Sequence, residues 1–293
     1  MLKKQGPLLL ASNHPNSFLD AIIFDILFEQ PIWSLARGDA FKNKFISQIL
    51  ASLKIFPVYR VSEGVENLNS NYETFKNCKT LFKKKGIVLI FSEGKFINEW
   101  HLRPLKKGTA RLAISSWEEN IPLEVLPVGI NYSSFRRFGK NVIINFGDII
   151  RKEDIPFPSS EGIRYQAFNN QLQQQLNSLV FEIDKQDKEK KQTLLEKKPA
   201  QLSRIIFAFP AFIGWVSHLP LYLPVQRITY SKTADNDHFD SIMAAVLLVT
   251  YPFYLLLISY FLYSFTGSLF SFLLLVFMPF TAWCYVQVKS QLD

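Results

Sequence analysis

Cysteine is scarce in this chain of 293 residues, which contains only Cys78 and Cys284. Two cysteines are too few for a disulfide framework, and Cys284 lies in a strongly apolar run, so a reducing compartment is the simpler interpretation. Glycine and proline contribute only 12 and 15 residues, while 48% of the chain is hydrophobic. This composition excludes a collagen-like fibre and a disordered chain. The length leaves room for about two domains.

Several chemical signatures are missing as well. The four histidines are scattered, and neither a His-Glu-x-x-His motif nor a Cys-x-x-Cys pair occurs, so no metal site is predicted. The sequence also lacks the Gly-x-Ser-x-Gly elbow that would favour a serine hydrolase. The basic residues are dispersed and the aromatic ones concentrate in apolar runs, so nucleic acid is not an expected partner.

The net charge and the aromatic content point to a different kind of partner. Lys and Arg exceed Asp and Glu by 33 to 25, which gives a formal charge of +8 and favours phosphorylated substrates or an acidic membrane surface. The 27 Phe, 11 Tyr and 5 Trp residues are more typical of a protein beside lipid than of an average soluble domain.

Charged residues are absent from residues 241–288, a stretch of 48 residues. A helix rises about 1.5 Å per residue and the hydrocarbon core is roughly 30 Å thick, so about 20 apolar residues cross a bilayer. Residues 242–265 and 269–288 each meet that length, with Thr266 and Gly267 as the turn between them. The sequence therefore predicts a carboxyl-terminal transmembrane helical hairpin.

Positive charge predicts the orientation of this hairpin. Lys232 and Lys289 flank its outer ends and the turn carries no charge, so both ends are expected on the cytoplasmic side. Residues 205–226 form a third charge-free stretch, which we expect to be re-entrant or interfacial. Its helical pattern is interrupted by Pro210, Pro220 and Pro224. If this stretch does not cross, the upstream part stays on the cytoplasmic face; if it crosses, the topology inverts.

The upstream part of the chain alternates strand and helix signals. Apolar runs predict strands at residues 7–11, 32–36, 54–59, 87–91 and 125–130. Helical patterns occupy residues 21–28, 69–85 and 108–119. Residues 1–182 are therefore expected to form an α/β domain, with a mostly parallel or mixed central sheet flanked by helices. A polar helical linker, 183–204, and the membrane-associated region, 205–293, follow.

The chain is expected to enter folded structure directly, since no secretory signal peptide precedes the first strand. This suggests a short or truncated amino end.

A histidine and an aspartate follow the first predicted strand. Residues 12–20 read Ser-Asn-His-Pro-Asn-Ser-Phe-Leu-Asp, where a buried strand gives way to a helix. Groups at such a turn lie at the carboxyl edge of the sheet, the usual place for sites in open α/β folds. His14 can act there as a base oriented by Asp20. Alternatively, Ser17 and Asp20 have the spacing of a capping box, and both roles can coexist.

Other candidate groups follow later strands. Arg60 ends the strand at 54–59, and its planar guanidinium suits bidentate phosphate recognition. Glu93 and Gly94 end the strand at 87–91, where the glycine lets backbone approach a ligand and the carboxylate accepts hydrogen bonds. The carboxyl ends of parallel strands share one edge of the sheet, so these groups are expected to converge with His14.

The order of these segments resembles the four blocks of the glycerophospholipid acyltransferase family, over nearly all of residues 8–150. The blocks are Asn13-His14 to Asp20, residues 55–60, residues 91–94 and residues 126–129. The resemblance implies that His14 is the general base for the acceptor hydroxyl and that Asp20 orients it. It further implies that Arg60 binds the acceptor phosphate, and that Asn13, Glu93 and Gly94 belong to the substrate-binding region.

Two departures from the family pattern affect the site. Five residues separate His14 from Asp20 instead of the commoner four, so the extra residue must be absorbed near Pro15 and Asn16. The third block lacks the arginine that often follows it. The basic residues nearest to that place are Arg103, Lys106 and Lys107.

The resemblance implies a membrane-bound O-acyltransferase with no tightly bound cofactor. Its acyl donor would be a thioester of coenzyme A or acyl carrier protein. The acceptor would be a hydroxyl of glycerol 3-phosphate or a related phosphorylated glycerol, with a lysophosphatidate or other lysophospholipid as the alternative. A serine hydrolase is the nearest enzymatic rival, because Ser17 and Ser92 lie beside the predicted site. A catalytically decayed, membrane-anchored lipid-binding protein is the alternative of another class.

Overall fold

The structure is a computed structural model and describes residues 2–59, 68–156, 160–197, 199–289 and 292. The chain divides into two compact units. The first consists of Met1–Asn131 and Ile143–Lys185, and the second of Tyr132–Val142 and Gln186–Asp293.

Six strands form one mixed sheet. They are β1 (Leu8–Ser12), β2 (Ile32–Arg37), β3 (Ile55–Val58), β4 (Ile87–Phe91), β5 (Glu124–Tyr132) and β6 (Val142–Phe146), in the spatial order β3-β2-β4-β1-β5-β6. Strands β1 to β5 pair in parallel, so their carboxyl ends share one edge. The backbone hydrogen bonds between Val125 and Ile150 are antiparallel, as expected for a chain that turns back after β5. The predicted α/β fold with a mixed sheet is confirmed.

The strands are joined by helices whose side of the sheet follows from the strand order. The helices are α1 (Ser17–Leu27), α2 (Lys44–Ser52), α3 (Leu68–Lys83), α4 (Lys107–Glu118) and α5 (Glu161–Leu179). Parallel crossovers are right-handed in nearly all proteins. Because β1→β2 and β2→β3 step in one direction and β3→β4 and β4→β5 in the other, α1 and α2 cover one face, and α3 and α4 the opposite face.

Burial in the first unit explains the long apolar runs of the strands. Leu8, Leu9 and Leu10 are all fully buried, because both faces of β1 are covered by helices. On the face of α3 and α4, side chains of the sheet pack with Leu112 of α4 and Phe168 of α5 in the main core.

The second unit contains three helices that are long and apolar enough to cross a membrane. They are α7 (Gln201–Lys232), α8 (Phe239–Thr266) and α9 (Leu274–Val288); a short α6 (Lys188–Leu195) precedes them, and a 3-10 turn, Leu269–Leu273, precedes α9. Gly267 ends α8 in the left-handed conformation, at φ 61°. The predicted hairpin agrees with α8 and with the helical segment Leu269–Val288.

The prediction that prolines break the helical pattern of residues 205–226 is wrong, because α7 continues through Pro210, Pro220 and Pro224. Each proline removes one backbone hydrogen bond, a loss that apolar helices tolerate when neighbouring helices pack against them. His218 and Tyr251 share a hydrogen bond of 2.9 Å between α7 and α8. Gly214 lets the backbone of α7 approach Thr281 of α9, where no Cβ would fit. That residues 205–226 are re-entrant or interfacial stays a prediction, although α7 is long and apolar enough to cross a membrane.

The loop before β6 belongs to the second unit. Lys140 pairs with Asp240 at the start of α8, and both side chains are nearly buried. Lys289 donates to the carbonyl oxygen of Phe138, and Gly139 lies against Val286 of α9. These contacts fix residues 132–142 on the ends of the apolar helices.

Candidate active site

His14 and Asp20 form a hydrogen-bonded pair at the start of α1. Nδ1 of His14 lies 2.8 Å from Oδ2 of Asp20. Asp20 is fully buried, whereas the His14 side chain keeps 16% of its surface exposed. A carboxylate only accepts hydrogen bonds, so the hydrogen between the two groups is on Nδ1. In the neutral form of the ring, the lone pair that can accept a proton is then on Nε2. The pair therefore has the geometry of an oriented base.

The same carboxylate also begins the helix. Oδ2 of Asp20 accepts from the backbone N–H of Asn16, the residue that caps α1, at 2.9 Å. The Ser17–Asp20 capping box suggested by the sequence does not form, because Asn16 is the N-cap and no side chain makes the N-cap hydrogen bond. The Asp20 carboxylate nevertheless contacts both the start of the helix and the histidine. Ser17, the first residue of α1, has a φ of 45°, which lies in the left-handed region.

Two phenylalanines fix the plane of the histidine ring. Phe91, at the end of β4, stacks on His14 with a centroid distance of 3.8 Å and an interplanar angle of 5°. Phe96 meets the ring edge-on at 5.5 Å. Stacking of this kind limits rotation of the imidazole, so Nε2 keeps one direction.

Glu93 joins the residues that follow β1 and β4. Its Oε2 accepts from the backbone N–H of His14 and its Oε1 from that of Arg103, both at 2.8 Å. The carboxyl group is almost fully buried. Burial raises the pKa of Glu93, while the two amide bonds and the nearby Arg103 lower it. Glu93 is thus a structural clamp at the site, and both of its oxygens are already engaged by backbone.

Gly94 allows the chain to turn sharply after Glu93. Its φ is +71°, a conformation that favours glycine. A Cβ at this position would lie 2.9 Å from Cγ of Lys106. The backbone N–H of Lys106 donates to the carbonyl of Ser92 at 2.7 Å, which returns the chain to the sheet edge just before α4.

Among the predicted basic residues, Arg103 contacts the same carboxylate, Glu93, that binds the backbone of His14. Its guanidinium lies 3.6 Å from the carboxylate of Glu93 and donates to the carbonyl of Lys95. One fifth of the side chain stays exposed. Glu93 thus lies between the Arg103 guanidinium and the backbone of His14. Because the guanidinium is partly exposed, it is suited to bind an anionic group.

The first part of the chain is similar to known proteins. Residues 1–131 match the family model described as Acyltransferase. A chloroplastic 1-acyl-sn-glycerol-3-phosphate acyltransferase of Brassica napus is 26% identical over 144 residues. Residues 1–131 thus carry an acyltransferase domain, and the two matches support the resemblance to the glycerophospholipid acyltransferase family. The aligned region is 49% of this chain and 38% of the relative, so the chain spans less than half of that protein.

The remaining predicted residues of the acyltransferase domain differ in their placement. Both polar atoms of the Asn13 side chain bond to the backbone of Ile130, at 3.0 and 2.8 Å. Asn13 therefore ties the ends of β1 and β5 together. Lys107 lines a surface cavity with Tyr165 and Gln166 of α5. Arg60, predicted to bind the acceptor phosphate, lies outside the described residues.

Sequence reasoning missed the contributions of Phe91 and Phe96 to the acyltransferase site. Both lie in or beside the third block, yet an apolar residue at the end of a buried strand indicates packing by itself. Their contact with His14 depends on the pairing of β1 with β4, which places Ser12 opposite Phe91. That non-local pairing leaves no local signal in the sequence.

The two serines of the rival hydrolase mechanism have other surroundings. Ser92 is buried, and its Oγ accepts from the Thr109 hydroxyl at 3.0 Å. Ser17 is also buried, at the strained first position of α1. A nucleophile needs access to substrate and to a base. The burial of these hydroxyls therefore disfavours a serine-hydrolase mechanism.

Proposed function

We propose that the chain is a membrane-bound O-acyltransferase that moves a fatty acyl group from an acyl thioester to a hydroxyl of a phosphorylated glycerol. The observation that carries this proposal is the 2.8 Å hydrogen bond between His14 Nδ1 and the buried carboxylate of Asp20. The name of the Brassica napus relative favours 1-acylglycerol 3-phosphate as the acceptor. Glycerol 3-phosphate is the second candidate, since the same chemistry serves both.

The reaction follows from the arrangement of the pair. Nε2 of His14 takes the proton of the acceptor hydroxyl as its oxygen attacks the thioester carbonyl carbon. The carbon–sulfur bond then breaks, and the proton passes from His14 to the leaving thiolate. The Asp20 carboxylate stabilises the imidazolium that forms in between. General base catalysis of this kind contributes about 10²- to 10⁴-fold in rate.

The acceptor phosphate needs a cation near His14. In this proposal the partly exposed guanidinium of Arg103 binds the phosphate, together with Arg60, which follows the parallel strand β3. Their joint role is to position the hydroxyl against the thioester. Backbone amides at the start of α1 are the candidates for stabilising the oxyanion.

The proposal is tested by measuring acyl transfer with the purified full-length protein in lipid nanodiscs. Radiolabelled acyl-coenzyme A and acyl carrier protein thioesters are offered with 1-acylglycerol 3-phosphate, glycerol 3-phosphate and dihydroxyacetone phosphate. We expect transfer to at least one acceptor, and a loss of about 10²- to 10⁴-fold in His14→Ala. His101→Ala is the matched control, because His101 is exposed and pairs with Glu182.

The phosphate role has its own readout. Arg103→Ala keeps the backbone bond to Glu93 and is expected to raise KM for the acceptor more than it lowers kcat. Arg111→Ala on α4 is the control, since its guanidinium lies over the ring of Tyr165. Full transfer by His14→Ala, or no transfer to any acceptor by the wild type, would refute the proposed function.

A further inference from the structure

The outer side of α1 carries an apolar stripe. Phe18, Ile22 and Ile26 recur at every fourth position and are exposed. The side of α1 that faces the sheet carries Asp20 and the fully buried Phe24. Since residues four apart lie on one side of a helix, the exposed apolar groups form a continuous strip on the side away from the sheet.

Helix α2 repeats this pattern. Phe45 and Ile49 are exposed at the same spacing, and Leu53, directly after the helix, continues the strip. The six side chains of the two strips are between 36% and 70% exposed. Isolated apolar groups on a surface are ordinary, but two strips of large aliphatic and aromatic side chains indicate an interaction surface.

Both strips lie on the same side of the domain. The steps β1→β2 and β2→β3 run in one direction across the sheet, so right-handed crossovers place α1 and α2 on one face. The side chains of both strips are exposed, so both strips lie on the sides of these helices that are turned away from the sheet. We call the two strips the outer apolar face.

The opposite side of the sheet shows that this exposure is not general. Helices α3, α4 and α5 comprise 16, 12 and 19 residues, against 11 and 9 in α1 and α2. Among the side chains described in those three longer helices, the exposed large apolar ones are Tyr72 and Ile163. The two short helices therefore carry much more exposed apolar surface than the three long ones.

Charge around the outer apolar face indicates what covers it. Lys42 and Lys44 are exposed at the amino end of α2, and the partly buried Lys54 follows its carboxyl end. On α1, the exposed Asp25 accepts from the backbone N–H of Ile32 at 3.4 Å and the exposed Glu29 follows the helix, so the basic charge is concentrated beside the strip on α2. Apolar side chains flanked by lysines match the boundary between acyl chains and anionic headgroups. The second unit also has helices that are long and apolar enough to hold this chain in a bilayer.

We propose that the outer apolar face of α1 and α2 inserts into the interfacial layer of the bilayer as a second membrane contact, made by the acyltransferase domain itself. Because α1 begins three residues after His14, insertion would hold the His14–Asp20 pair at the membrane surface. If the proposed function holds, a lipid acceptor could then reach Nε2 without leaving the bilayer. The membrane contact itself does not depend on the reaction.

Labelling of single introduced cysteines in the chain of residues 1–293 tests this contact. Ile26→Cys, Ile49→Cys and, as the control on the opposite side, Tyr72→Cys are labelled with an environment-sensitive fluorophore in proteoliposomes of phosphatidylcholine and phosphatidylglycerol. Cys78 and Cys284 are buried, and burial raises the pKa of the Cys78 thiol to about 12, so they react poorly. Wild-type protein gives the labelling blank, and thermal melting checks the fold of each variant.

The expected result is quenching of the labels at 26 and 49 by nitroxide-labelled lipid and protection from aqueous iodide, with the reverse at 72. Adding Lys42→Glu and Lys44→Glu to Ile49→Cys should weaken the lipid quenching in anionic vesicles. Iodide quenching at 26 and 49 equal to that at 72 would overturn the proposal. So would protection from both quenchers, which would mean that protein, such as a second copy of the chain, covers this face. The readout is depth, so it stands apart from the acyl transfer assay.

Discussion

The backbone N–H of His14 donates to Oε2 of Glu93 at 2.8 Å, across 79 residues of sequence. The loop after β4 therefore holds the residue that carries the imidazole. The other oxygen of Glu93 holds Arg103, so one buried carboxylate sets the distance between the base and the cation. We expect the site to depend on this clamp as much as on the His14–Asp20 pair.

Removing the charge of Asp20 should slow the reaction without unfolding the protein. In Asp20→Asn an oxygen can still accept from His14 and Asn16, but the negative charge that stabilises the imidazolium is gone. We expect kcat to fall by about 10²-fold or more, with KM nearly unchanged. Asp25→Asn, on the exposed side of α1, is the matched control. Near-normal kcat in Asp20→Asn would mean that the carboxylate serves only as a helix cap.

Glu93→Gln should destabilise the acyltransferase domain. The amide group of glutamine has one accepting oxygen, so the backbone N–H of either His14 or Arg103 loses its partner in a buried place. We expect a loss of about 1–3 kcal/mol in the free energy of unfolding. Thermal and denaturant melts measure it.

Glu182→Gln is the control for this prediction. Glu182 likewise accepts from a ring nitrogen of His101 and from the backbone of Leu102, but it is exposed. Water can replace either partner there, so we expect a change within about 0.5 kcal/mol. Equal losses in the two variants would contradict the clamp role of Glu93.

Gly94→Ala tests the turn after β4. Its φ of +71° lies in the left-handed region, which costs an alanine about 1–2 kcal/mol. Lys106 can move its flexible side chain away from the new Cβ, so backbone strain dominates. Gly162→Ala in α5 is the opposite control, because nothing lies within 4 Å of a Cβ there. That variant should be neutral or more stable by up to about 1 kcal/mol, so only Gly94→Ala should lose stability in parallel melts.

Lys289 should make the second unit more stable at alkaline pH. Burial, together with Arg137 and Lys140, lowers its pKa from 10.5 to about 8. Between these two values the unfolded chain binds more protons than the folded chain, so stability rises with pH across that window. Lys289→Met removes this titration.

The measurement is the Tm difference between wild type and Lys289→Met from pH 7 to pH 10.5. The Tm of the wild type should rise relative to that of the variant as the pH rises above about 8. Lys232→Met, at the exposed end of α7, is the control and should run parallel to wild type. A constant Tm difference between wild type and Lys289→Met would show that burial and the basic neighbours do not lower the pKa of Lys289.

Strands β1 to β5 and helices α3 and α4 could be predicted close to their observed positions from the sequence, whereas α2 and β6 were not predicted. The strand predicted at residues 87–91 is β4 itself, because an apolar run of five residues buried on both faces leaves a strong local signal. The spacing of His14 and Asp20 likewise predicts their meeting, since a strand and the first turn of a helix fix both positions locally.

Other features had no such signal. The hydrogen bonds of the Asn13 side chain to the backbone of Ile130 could not be predicted, because β5 becomes a neighbour of β1 only in the folded sheet. Residues 132–142 join the second unit through contacts such as Lys140 with Asp240, 100 residues away. The outer apolar face could not be distinguished from core in the sequence, since its spacing is that of any buried helix side.

By itself the sequence determined which segments cannot remain in water and which alternate between strand and helix. These properties follow from chain length, periodicity and the need of a helix in lipid to satisfy its own backbone hydrogen bonds. Only the tertiary structure decided that β4 lies beside β1, and hence that Glu93 holds His14 and Phe91 stacks on its ring. Strand order and long-range polar contacts depend on the packing of distant segments, which no local pattern of residues specifies.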